Sequence, residues 1–146
     1  MSRLVLALSV AAALAGCSSA PINTSSAPSV PIERVYEKTL IQPAEGRVDV
    51  VVARDKGFVG GGCNTAVYLD GTKIAAIHQG EMITLYLAPG RYILGHGPNP
   101  EGSGLCKYGA ESARKETGVT AELGKPLKYR LAISANGESS IMPTAF

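Results

Sequence analysis

The chain has 146 residues, with 14 basic and 12 acidic side chains and a formal charge of +2, enough for one domain of ordinary size once any leader is removed. Arg3 is the only charged residue before Cys17, so the chain from Cys17 onward carries 13 basic against 12 acidic groups; this gives no electrostatic case for nucleic acid or for an acidic membrane surface. The 17 glycines and the absence of tryptophan favour a turn-rich β domain over a helical bundle.

Residues 1–16 read as a secretory leader: one Arg, then an apolar run from Leu4 to Ala15 that is too short to span a bilayer as a mature helix. Its end, Leu14-Ala15-Gly16-Cys17, resembles the bacterial lipobox. That resemblance implies cleavage before Cys17 and lipidation of its sulfur, with acyl chains that contribute about 0.8 kcal/mol per buried methylene. Ser18 after the cysteine favours the outer membrane. Residues 17–31 are rich in Ser, Ala and Pro, with no charge and no period, which predicts a flexible tether behind the lipidated Cys17. The domain is expected over 32–146.

Arg47 to Arg54 is the first clear strand, with Val48, Val50 and Val52 on one face. A glycine-rich loop comes next, ending at Gly62. From Val67 to Leu94, three alternating runs are joined by two turn signals and predict a β-meander. Asp70-Gly71 has the form of a type I′ hairpin, and Ala88-Pro89-Gly90 that of a second reversal. Ile83, Leu85 and Leu87 fall on one face of the middle run, with Met82, Thr84 and Tyr86 on the other. The prolines in His96-Gly97-Pro98-Asn99-Pro100 argue against regular pairing there, and Glu101 to Ala110 is a second glycine-rich loop. Ser112 to Glu122 and Leu127 to Ser134 read as strands. Asn136-Gly137 is another type I′ signal, leading into a last strand near Ser139 to Met142. The expected fold is all-β, a small antiparallel β-sandwich of about seven strands.

With Cys17 assigned to lipid, Cys63 and Cys106 remain, one in each glycine-rich loop. An even remainder in an oxidising compartment favours a disulfide. Metal-ligating or redox thiols are the alternative, although no CxxC or His pair lies near. Neither HxH, HExxH nor an acidic cluster marks a metal site, so neither metal nor cofactor is expected. Gly57 to Gly62 lacks the Lys-Ser/Thr of a phosphate loop, and Gly102-Ser103-Gly104 lacks the spacing of a nucleophile elbow. His78 reads as a polar strand end, and His96, between two glycines, as part of a constrained loop. Tyr68, Tyr86 and Tyr92 are the candidate interface residues. By parity Tyr68 and Tyr86 lie opposite the apolar face of their strands, where they either meet a partner or are covered by a second sheet.

The Tyr68-Leu69-Asp70-Gly71 hairpin, the Gly80-Glu81 turn, the Ala88-Pro89-Gly90-Arg91-Tyr92 turn and Gly124-Lys125-Pro126 before a late strand together resemble the DUF2846 group of bacterial lipoprotein domains, which are similar to PEGA-type surface modules. The resemblance covers most of residues 47–142 and implies a small non-catalytic β-sandwich at the cell envelope. The expectation is therefore a lipid-anchored, periplasm-facing outer-membrane lipoprotein that is not an enzyme. It would bind another envelope component, protein or peptidoglycan, as a structural or assembly module, with no nucleic-acid partner. An inhibitor or immunity lipoprotein that inserts the Gly95–Cys106 loop into a toxin or wall hydrolase is the alternative.

Overall fold

A computed structural model describes residues 19–110 and 112–146; the expected leader and the expected lipidation residue Cys17 lie outside them. Eight strands form two four-stranded sheets: β1 Val48–Arg54, β2 Thr65–Leu69, β3 Thr72–Ile77, β4 Met82–Leu87, β5 Gly90–Pro98, β6 Lys115–Ala121, β7 Leu127–Ile133 and β8 Ser139–Pro143. The sheets run β4-β1-β7-β8 and β3-β2-β5-β6. This is the all-β sandwich that the alternating runs predict, with one strand more than the seven or so expected.

The alternation explains the packing. Val48, Val50 and Val52 of β1 pair in register with Leu87, Leu85 and Ile83 of β4, so all six point to one face. They share a continuous core with Tyr129 and Leu131 from the same sheet, and with Val67, Leu69, Ile77, Leu94 and Val119 from the other. Side chains of successive strand residues point to opposite faces, so a β-branched run with period two delivers its apolar half to the sheet-to-sheet interface.

Three expectations about the path of the chain need correction. The run from Val67 to Leu94 is not a meander: β2 and β3 form the predicted hairpin, but β4 crosses to the other sheet and pairs with β1, and β5 returns to pair with β2. Apolar alternation sets which face is buried and leaves the choice of sheet open. The sandwich is also not wholly antiparallel, because β1 and β7 are parallel; the long connection between them through the second sheet permits that direction. Of the two type I′ signals, Asp70-Gly71 has both residues at positive φ, 48° and 81°, as such a turn requires. Asn136-Gly137 does not. There only Gly137 is at positive φ, and Ser134 and Glu138 are bonded across a longer loop.

The expected free tether is the fourth correction. From Ser19 onward the segment lies on the domain. Ala20 and Lys56 exchange backbone bonds of 2.8 and 3.1 Å, Met82 N–H donates to Pro28 O, Val30 N–H donates to Met82 O, and Tyr36 N–H donates to Ile74 O. Val30 and Val35 are buried in the core. The strap thus crosses from the open edge of β4 to the open edge of β3, occupying backbone groups that an edge strand otherwise leaves bare. Arg34 clamps it: its guanidinium donates to both carboxylate oxygens of Glu81 at 2.8 and 2.5 Å, and to Ala76 O at 3.0 Å. Composition hides this because two valines and a line of backbone bonds are enough to hold an otherwise featureless stretch.

Candidate functional site

The loops 55–64, 78–81, 99–110 and 134–138 all lie at one end of the sandwich, where β1, β3, β5 and β7 finish. Cys63 and Cys106 join two of them, with Cα atoms 5.2 Å apart and the sulfurs bonded, a separation within the usual disulfide range. The Cys pair named from the sequence is therefore brought together.

Beneath the disulfide is a cavity of about 170 Å³ lined by Arg54, Thr65, His96 and Tyr108 together with the two cysteines. Arg54 ends β1 on the parity of Val48, Val50 and Val52, and that parity carries its side chain inward. Its Nη1 donates to Ile77 O at 3.0 Å and to Cys63 O, and its Nη2 donates to Gly60 O at 2.7 Å. Three carbonyls are thus gathered on one planar fork, a geometry suited to arginine. Burial lowers the guanidinium to about 10, partly opposed by Glu81, so it stays charged at neutral pH.

His96 is the second buried polar residue. It lies in β5 opposite Val67, on the face of Leu94, and not in a loop. Pro98 occupies the last position of that strand, so its missing N–H does not interrupt the ladder before it. Burial, then the charges of Arg54 and Lys115, push the imidazole down to about 4, with a backbone hydrogen bond at Ser140 opposing them. It is neutral, and its Nε2 has no partner. The flanking glycines have a packing reason: a Cβ on Gly97 would lie 3.3 Å from Arg114 Cα, and one on Gly95 would lie 3.3 Å from Glu116 Cγ. The Gly-His-Gly pattern thus marks a strand tightly covered by a neighbouring segment.

The same covering segment overturns Tyr68 as an interface residue. Tyr68 is buried, with the Arg114 guanidinium 3.7 Å from its ring centroid. Tyr86 is half-buried in the other sheet, and Tyr92 is half-buried with its hydroxyl donating to Ala88 O at 2.9 Å. The three tyrosines do not form one patch.

Exposed apolar surface is concentrated elsewhere. Phe58, Leu105 and Tyr108 are 88%, 89% and 82% exposed, and all three stand on the two disulfide-joined loops. Ser19 arrives at this same end, since a Cβ on Gly57 would lie 3.4 Å from Ser19 Cα. Ile93 and Leu123 are exposed at the opposite end, near the Asp70-Gly71 and Glu122–Lys125 turns. Parity would have found Arg54 in the sequence; the apolar loop tips carry no periodic signal.

Asp55, next to Arg54, is buried and accepts two hydrogen bonds from Arg130 through Oδ2, while Oδ1 has no partner. No group of three His, Cys, Asp or Glu residues placed to hold a metal occurs among the described residues. Chemically, the cavity offers a guanidinium held by carbonyls and a neutral imidazole without a carboxylate partner. Comparison with protein-family models, curated proteins and solved structures finds no match to this chain.

Proposed function

We propose that the chain is an outer-membrane lipoprotein, DUF2846-like in its turn pattern, anchored through Cys17. Its non-catalytic β-sandwich binds another envelope component, protein or glycan, as a structural or assembly module. The observation that carries this reading is the arrival of the chain: from Ser19 onward it is bonded to the sandwich, so a folded body begins two residues after the lipobox cysteine. A disulfide between secreted-type loops fits the oxidising compartment that the leader implies. The cavity chemistry favours binding over turnover, because an imidazole with no carboxylate to orient it and no hydroxyl bonded to it is not arranged as a base for a nucleophile.

The end opposite Ser19, bearing Ile93 and Leu123, is the surface left for the envelope partner. Photo-crosslinking residues placed at 93 and 123, and at 105 on the other end, in the lipidated chain test this in cells. Capture of one stoichiometric envelope protein, or of peptidoglycan fragments, is the expected result. Capture of a toxin or wall hydrolase through position 105 would select the inhibitor alternative, and no specific adduct from either end would sink the binding-module reading.

A further inference from the structure

Resting on the reading of Cys17 as the lipidated residue, we propose that the disulfide-joined loop end docks directly onto the phospholipid bilayer, with Phe58, Leu105 and Tyr108 entering the boundary between headgroups and acyl chains.

The short length of chain between lipid and fold is the first reason. Ser19 lies against Gly57, and Ala20 is hydrogen-bonded on both sides to Lys56, so the chain meets the sandwich one residue from Phe58. Two further residues lead back to Cys17, and a fully extended chain covers at most about 7 Å in that distance. Lipid attached to the Cys17 sulfur must therefore enter the bilayer beside loop 55–64. The stretch that composition marks as a spacer cannot hold the domain away from the membrane, because it is bonded along its length to Lys56, Phe146 and Met82.

What stands at that end suits a lipid surface. The three most exposed large apolar side chains among the described residues are one phenylalanine, one leucine and one tyrosine, and aromatic residues with a polar tip favour the interfacial zone. The tips from Lys56 to Gly62 and from Gly102 to Ala110 contain two lysines, Lys56 and Lys107, and no acidic residue; of the acidic residues that flank them, Asp55 is paired with Arg130 and Glu101 with Lys73. The Cys63–Cys106 bond fixes both tips to each other, and they are presented together. A near-neutral chain docked in this way holds on by apolar insertion beside its own anchor, and charge attraction is secondary. The other end, with Ile93 and Leu123, then points away from the membrane.

The absence of tryptophan gives a direct test. Phe58→Trp, Leu105→Trp, Tyr108→Trp and, at the far end, Leu123→Trp each create a single fluorescent reporter in the full lipidated protein. The proteins are placed in phosphatidylethanolamine–phosphatidylglycerol vesicles with and without acyl-brominated lipid, and intact mass establishes acylation. The three loop reporters should lose about half their emission, as expected for residues roughly 5–10 Å into the interface, while the reporter at 123 is unaffected. An acylated protein whose loop reporters are quenched no more than the one at 123 would overturn the docking and leave the anchor standing. A protein with no acyl mass on Cys17 would overturn the anchor and the docking with it.

Discussion

His96 is 1% exposed and faces Arg54 from β1, Lys115 from β6 and the backbone of Ser140 from β8. An imidazole in that position is kept neutral, and stability depends on it. The unfolded chain takes up this proton near pH 6.5, the folded chain only near about 4. Between those values the unfolded state binds more protons, so stability falls as pH falls through the window; above it the contribution is flat, and below about 4 the loss is complete. A shift of this size corresponds to roughly 3 kcal/mol. Urea denaturation of the wild type and of His96→Leu should show this directly. The wild type loses roughly 3 kcal/mol more than the variant between about pH 7 and about pH 4. Equal losses would mean that His96 is protonated in the fold.

At the scale of elements, the disulfide joins the β1–β2 loop to the β5–β6 loop across a sequence separation of 43 residues. In the chain-entropy account, closing a loop of that length stabilises the fold by about 4 kcal/mol. The Cys63→Ser, Cys106→Ser double variant should lose about that much in urea denaturation, and reduced wild type should match it. Arg54 is at stake as well, since its acceptors include the carbonyls of Gly60 and Cys63. The strands themselves are legible in the sequence because period-two alternation in VDVVV, MITLYL and LKYRL leaves little freedom about which side chains are buried. Strand partners are not legible: β4 could satisfy its apolar face beside β3 or beside β1, and local pattern is the same in both. The disulfide is readable from the cysteine count and the compartment that the expected leader implies, whereas the strap is not, because its hold comes from backbone carbonyls and amides that carry no side-chain signal. The loop tips are hidden for a related reason. Phe58 and Leu105 are single apolar residues among glycines, and only their shared exposure at one end gives them meaning.

For the whole molecule, the decisive quantity in the proposed docking is the distance between lipid and fold. Fully burying a Phe or Leu side chain contributes roughly 1.5–3 kcal/mol, and partial insertion contributes less, so three such contacts give only marginal membrane binding by themselves. In the proposed docking they hold the loop end in place because the anchor makes the contact intramolecular, and the benefit depends on how short the link is. A ten-residue Gly-Ser spacer inserted between Ser18 and Ser19 should therefore leave acylation and membrane fractionation unchanged while reducing bromolipid quenching at position 58. Such a spacer has a root-mean-square span of about 18 Å, enough for the domain to leave the surface and turn. Cys17→Ala should go further, abolishing palmitate labelling and releasing the protein from the membrane fraction. The contrast separates anchor from orientation. If the spacer variant were quenched as strongly as the parent, the apolar tips alone would be holding the domain down, and the short link would be a consequence of the fold with no part in orienting it.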